Sequence, residues 1–188
     1  MILNIPNMLT LLRILLIPVF VGVFYVPVSW SSIACTALLA VAALTDWLDG
    51  FLARRMHQTS RFGAFLDPVA DKLMVAVVLV LLVQADPRAL VAVPATIIIG
   101  REIAVSALRE FMATVGERAK VAVVMMGKIK TVAQMAALLM MVYRADLGPL
   151  PTYEIGFFLL YVAAALTLWS MVVYLRAAWP SMAPRTGE

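Results

Sequence analysis

Six apolar runs recur along the chain, at about 8–26, 31–54, 63–85, 89–113, 121–144 and 153–176. Each exceeds a soluble core helix and approaches the roughly 20 residues that cross a bilayer. The breaks carry turn chemistry: Pro27 and Ser29, Met56 to Ser60, Asp86-Pro87, Gly116, and Gly148-Pro149-Leu150-Pro151. The pattern predicts an all-α integral membrane protein of six transmembrane helices, one domain over residues 1–188, with no internal repeat. The opening Met1 to Asn7 lacks the basic residues and cleavage site of a signal peptide. It reads as a short interfacial segment ahead of a true span. The tail from Pro180 to Glu188 is expected to fray.

Composition agrees. Hydrophobic residues make up 64% of the 188 and charged residues 14%, with a mean hydropathy of +0.98. A soluble domain of this size has no means of hiding so much apolar surface, which excludes a soluble enzyme, a secreted disulfide module or a disordered linker. The lone Cys35 excludes an internal disulfide and a cysteine metal cage. A net charge of +4 points to a lipid surface rather than to nucleic acid. Arg54, Arg55, Arg61, Arg118, Lys120, Arg176 and Arg185 fall in connections on one side, and only Arg88 and Arg144 on the other. The positive-inside rule then places both termini in the cytoplasm. Asp86, Asp146 and Glu154 are expected as surface charges on the far side.

The remaining charges lie within or at the ends of apolar spans: Arg13, Asp46, Asp49, Asp67, Asp71, Lys72, Arg101, Glu102, Arg109, Glu110, Lys128 and Lys130. A charge at mid-bilayer costs at least ~2.5–3.5 kcal/mol, so these residues need a polar cavity or a partner. Asp46 and Asp49 are three apart on the second span, and Asp67 and Asp71 four apart on the third, so each pair shares a helix face. One short hairpin brings both pairs to comparable depth. Four carboxylates in a small volume repel strongly unless some are protonated or cations join them. Oxygen ligands without His or Cys favour Mg²⁺, Mn²⁺ or Ca²⁺ over zinc, and two divalent ions would balance four charges. Gly50, Ala53 and Gly63 leave room for a ligand near the backbone, and the planar fork of Arg54 suits phosphate. Pro68 is expected near the start of its span. A salt-bridge network joining the aspartates to Lys72 and the arginines is the competing structural account.

Taken together, Asp46-x2-Asp49-Gly50-x2-Ala53-Arg54-x8-Gly63-x3-Asp67-x3-Asp71 resembles the signature of the CDP-alcohol phosphotransferase family. All eight of that signature's fixed positions are present. Asn4-Ile5-Pro6-Asn7-x2-Thr10-x2-Arg13, Arg101-Glu102, Ser106 to Glu110 and Gly127 to Thr131 resemble the family's bacterial branch that uses sn-glycerol 3-phosphate. The resemblance implies six helices around a cavity open to the cytosol, a homodimer, and residence in the bacterial cytoplasmic (inner) membrane. It implies attack of an alcohol on the lipid-side phosphorus of CDP-diacylglycerol, with CMP leaving. It makes Asp46, Asp49, Asp67 and Asp71 the ligands of two Mg²⁺ or Mn²⁺ ions and Asp71 the catalytic base. It places Gly50, Arg54 and Ser60 on the CDP moiety, with Ala53 and Gly63 beside it and Asn7 and Thr10 completing the pocket.

Arg101, Arg109, Lys128 and Lys130 lie on the fourth and fifth spans toward the same side, which suits a phosphomonoester acceptor. Arg118, in a loop, is a weaker candidate for the same phosphate. Pairing of Arg101 and Arg109 with Glu102 or Glu110 is the alternative for these cations. Inositol phosphate, serine or a second lipid stay open as acceptors. An ion-coupled transporter is the rival from another class, since intramembrane carboxylates also serve ion pathways. The missing repeat, and an acidic cluster held in one hairpin nearer one side, argue against it.

Overall fold

The computed structural model describes residues 5–56, 61–114 and 126–182. Within them, the side chains of 5–6, 47, 49–56, 61–62, 64–65, 67, 126–128 and 180–182 are outside the description. Six helices follow in order: α1 (Ile5–Tyr25), α2 (Ser31–Met56), α3 (Arg61–Ala85), α4 (Ala89–Thr114), α5 (Met126–Tyr143) and α6 (Thr152–Met182). No strand occurs among the described residues. The chain is an all-α, multi-pass membrane protein. Helix satisfies every backbone group within its own segment, which hydrocarbon requires.

The helices differ from the expected spans at informative places. α1 is described from Ile5, so residues 5–7 of the expected interfacial segment belong to the first helix. α6 runs on to Met182, past the expected end and into the tail expected to fray. Pro68 sits two turns inside α3, not near its start; Pro18 and Pro94 are likewise interior. Neighbouring helices make such missing N–H groups tolerable in a membrane bundle. Four helices carry stretches long and apolar enough to cross a membrane: Asn7–Tyr25, Pro68–Ala85, Ala89–Thr114 and Thr152–Trp179. α2 and α5 offer shorter apolar stretches, Ser31–Asp46 and Ile129–Tyr143. Both stretches include a candidate site residue at one end, Asp46 on α2 and Lys130 on α5. At 1.5 Å per residue, the 26 residues of α2 still extend about 39 Å.

The apolar core fills one half of the bundle. Phe20, Leu39, Leu79, Ile98, Leu138 and Leu160 are among its fully buried members. A second, smaller cluster of Val105, Met112, Tyr174 and Ala178 joins α4 to α6 toward the opposite end. Leu15, Ile103, Val132, Phe158 and Trp169 are exposed on the outer faces, as lipid-facing side chains are. Gly156 marks the tightest approach of α5 and α6. A Cβ there would lie 2.8 Å from Met140 Cβ and 3.0 Å from the Ala137 carbonyl oxygen.

The short connections are also tied. Arg144 and Gly148 both take positive φ, and Leu147 and Leu150 exchange two backbone hydrogen bonds of 3.2 Å across the Gly148-Pro149 turn. Only glycine adopts that left-handed geometry without strain. Asp86 is not the simple surface charge expected. It accepts a bidentate pair from Arg88 at 2.6 and 2.7 Å and a third hydrogen bond from the Tyr153 hydroxyl of α6. These bonds, Arg88 first, hold its carboxyl well below the usual carboxylate range.

Two outcomes are expected. Gly156→Leu forces backbone to move and should lower stability by about 1–3 kcal/mol, read as thermal unfolding in detergent. Asp86 adds stability above the ordinary carboxylate pKa of about 3.9, and that contribution is lost as pH falls through its lower folded value. Asp86→Asn should therefore lower the unfolding midpoint at pH 7, and the gap from the wild type should close in acid.

Candidate active site

The polar half of the bundle is built where the ends of α2, α4 and α6 meet the starts of α1, α3 and α5. On α1, Asn7, Thr10 and Arg13 recur every three residues, share a face, and are all buried to within 2% of full coverage. Arg13 reaches between α2 and α3. Its Nη1 lies 3.1 Å from Asp46 Oδ1 and also donates to Asp71 Oδ1. One carboxylate from each helix of the acidic hairpin thus converges on a single guanidinium nitrogen. The two carboxylates are 48% and 41% exposed, so both are reachable from the bundle end, while Arg13 is not. A small cavity of about 90 Å³ lies beside them, lined also by Thr131 and Gln134 of α5. Gln134 Oε1 is buried there without a hydrogen-bond partner among the described residues.

A second polar cluster gathers around Glu102 of α4. Arg101, deep in α4 and 7% exposed, donates from Nη1 to Glu102 Oε1 and from Nη2 to Ser170 Oγ, both at 2.9 Å. Its guanidinium stacks over the Tyr174 ring at 5.7 Å. Ser170 and Tyr174 are one turn apart on α6, so they address the same neighbour. Arg109 stacks on the same ring at 5.3 Å and donates to its hydroxyl at 3.2 Å. Lys130 of α5, 5% exposed, donates to Glu102 Oε1. From α3, Lys72 donates to Ser106 Oγ, which in turn donates to the Glu102 backbone carbonyl. The Arg101 Nε–H is buried with no hydrogen-bond partner among the described residues. A buried, unmet donor on a charged group asks for an anion or a water.

The sequence-predicted residues are distributed as follows. Asp46 and Asp71 converge, and Arg101, Arg109 and Lys130 gather around Glu102 and Tyr174. Asn7 and Thr10 lie inside α1, and Gly63 is buried near the start of α3. The side chains of Asp49, Gly50, Ala53, Arg54, Asp67 and Lys128 lie outside the described ones, and Ser60 and Arg118 outside the described residues altogether. Among the described residues no three carboxylate, His or Cys groups meet at one point.

Five participants escaped sequence reasoning. Arg13 showed itself as an intramembrane charge but carried no assigned partner. Glu102 appeared only as a competitor for the arginines. Ser170 and Tyr174 look like ordinary residues of an apolar helix, and Gln134 gave no signal. The spacing of Ser170 and Tyr174 by four, facing two arginines eight apart, emerges only once α4 and α6 are packed together.

An all-helical membrane bundle with an acidic hairpin and a buried cationic pocket defines a class, and a family model agrees with it. The chain belongs to the CDP-alcohol phosphatidyltransferase family, whose model matches residues 3–169. A relative from Shigella flexneri serotype 5b is 54% identical over 93% of this chain and 94% of its own. One from Yersinia pestis strain Pestoides F is 52% identical over 96% and 97%. Both are named CDP-diacylglycerol–glycerol-3-phosphate 3-phosphatidyltransferase.

Arg13→Gln leaves the two carboxylates without their shared cation. Breaking a buried ion pair by removing one partner costs about 3–5 kcal/mol. Because Asp46 and Asp71 are half exposed, the expected loss is smaller, a fall of several degrees in the unfolding midpoint by differential scanning fluorimetry. Arg13→Lys, which keeps the charge, should recover part of it. An unchanged midpoint in Arg13→Gln would remove the bridge from this account.

Proposed function

We propose that this chain transfers the phosphatidyl group of CDP-diacylglycerol to sn-glycerol 3-phosphate, giving phosphatidylglycerol phosphate and CMP. The observation that carries the reading is that converging carboxylates and a buried cationic pocket share one bundle, joined by Lys72, which follows Asp71 and donates to Ser106 of the helix that carries Arg101 and Glu102. The 52–54% identity to relatives named for this reaction supports it. The 1-hydroxyl oxygen of the acceptor attacks the lipid-side phosphorus. The bond from that phosphorus to the oxygen of CMP breaks, and CMP departs with the electron pair.

The family is in general divalent-metal dependent. The donor set here fits a hard cation: Asp46 and Asp71 already address one positive group from two helices, with oxygen atoms only. Asp46, Asp49, Asp67 and Asp71 are the residues that would hold two Mg²⁺ or Mn²⁺ ions. When bound, such ions offset charge on the pyrophosphate and on the leaving group. Asp71 takes the proton from the acceptor hydroxyl as its oxygen attacks. Gly50, Ala53, Arg54, Ser60 and Gly63, with Asn7 and Thr10 on the buried face of α1, receive the CDP moiety. Arg101 and Lys130, supported by Arg109, Lys128 and Arg118, bind the acceptor's phosphate. The unmet Arg101 Nε–H is the donor that this phosphate would satisfy.

The protein works as a homodimer in the bacterial cytoplasmic membrane, with both termini and the polar half of the bundle facing the cytoplasm. The asymmetry of basic residues among the connections supports that orientation. Turnover of CDP-diacylglycerol by purified protein, with a panel of acceptors, is the decisive measurement. sn-Glycerol 3-phosphate should lead, and equal or better turnover with inositol phosphate would replace it as substrate. Chelation should abolish activity, with Mg²⁺ or Mn²⁺ restoring it. Asp71→Asn should lose at least about 100-fold in rate while still inserting into the membrane. Substantial residual turnover in that variant would count against the base assignment.

A further inference from the structure

The cationic pocket holds an acidic residue that the transfer reaction does not use. Glu102 sits among cations, and its Oε1 accepts from both Arg101 and Lys130. A carboxylate beside a site for a dianion is a liability, since it repels the ligand and competes for the same donors. Its retention in an intramembrane position, where charge is expensive, calls for a compensating role.

The supports of the two cations differ. Arg101 is fixed three ways, by Glu102, by Ser170 Oγ and by the Tyr174 ring. Lys130 has Glu102 as its hydrogen-bond partner among the described residues. Lysine carries its charge on a flexible four-carbon stem, which swings toward the interface when nothing holds it. Glu102 is itself held at its backbone, where Ser106 donates to its carbonyl and receives Lys72 of α3. Lys72 directly follows Asp71. One connected path therefore runs from the acidic hairpin, through Glu102, to the ammonium of Lys130.

On the reading that this pocket takes the acceptor's phosphate, we infer that Glu102 is a positioning residue that holds Lys130 at the acceptor site. It keeps the ammonium turned inward before the acceptor arrives and sets its spacing from Arg101. Binding then proceeds without the entropy loss of ordering a free lysine. Glu102 touches neither the phosphorus nor the attacking oxygen.

The test is steady-state kinetics on the full-length protein in detergent–lipid micelles, with both substrates varied. Glu102→Gln should raise the KM for sn-glycerol 3-phosphate by about tenfold or more, the range for a hydrogen bond to a charged group. The KM for CDP-diacylglycerol should stay within about twofold, a split that general loss of folding does not produce. Glu102→Asp, one methylene shorter, should recover only part of the acceptor affinity. An unchanged or lower acceptor KM in Glu102→Gln would overturn the inference, a lower value meaning that the carboxylate only competes with the phosphate.

The double variant Glu102→Gln, Lys130→Gln leaves neither charge of the pair unmatched, so it serves if the single variant fails to fold. Its acceptor KM should match that of Lys130→Gln alone within about twofold. A further tenfold rise would show Glu102 acting by another route. The wild-type arm separates the two claims: wild-type protein that prefers a different acceptor defeats the proposed reaction, whereas a flat response to Glu102→Gln defeats only the role of Glu102.

Discussion

The pairing of intramembrane charge is the constraint from which the rest of this structure follows. Hydrocarbon offers an ionised side chain no compensation, and among the described residues the buried charges pair with one another. Arg13 answers Asp46 and Asp71; Glu102 answers Arg101 and Lys130. These two hubs have opposite polarity. The first is a cation between carboxylates, and the second is a carboxylate between cations. In the first the central guanidinium is buried and its carboxylates are half exposed, whereas in the second the two cations are buried and the carboxylate between them is partly exposed. An enzyme that joins an anionic donor to an anionic acceptor needs both arrangements side by side.

The division of the bundle explains how such a half is tolerated. The larger core, from Phe20 to Ala164, fills the opposite half with close-packed apolar side chains. Gly156 lets α5 and α6 approach until backbone meets side chain. Asp86, Arg88 and Tyr153 tie the far-side turn to α6. Stability is concentrated where no chemistry occurs, and this leaves the other half free to carry polar groups. Between α3 and α4 the packing is looser. A crevice of about 550 Å³ opens there, its lining apolar except for Lys72, Glu102 and Ser106.

α5 has a particular place in this scheme. Lys130 faces the cation pocket, while the adjacent Thr131 and Gln134 line the cavity beside Asp46 and Asp71. Lys130 and Gln134 are one turn apart, so the same stretch of α5 borders both groups of side chains.

Much of this was legible in the chain itself. Hydrophobic runs of bilayer length gave the helices, since the need to satisfy backbone groups in lipid leaves few alternatives. The spacing of three and four placed each aspartate pair on one helix face, because helical periodicity is local. Isolated charges in apolar runs marked Arg13, Arg101 and Lys130 as groups in need of a partner, because their cost is independent of context. What partners they take is not local. Arg13 meets an aspartate 58 positions away, and Arg101 meets Ser170 across 69. Tyr174 and Ser170 gain their roles only from the face that α6 turns to α4. Sequence determines which groups must be compensated, because desolvation acts on each residue alone. Tertiary packing decides what compensates them, because pairing acts only between groups that the fold has brought within a few ångströms.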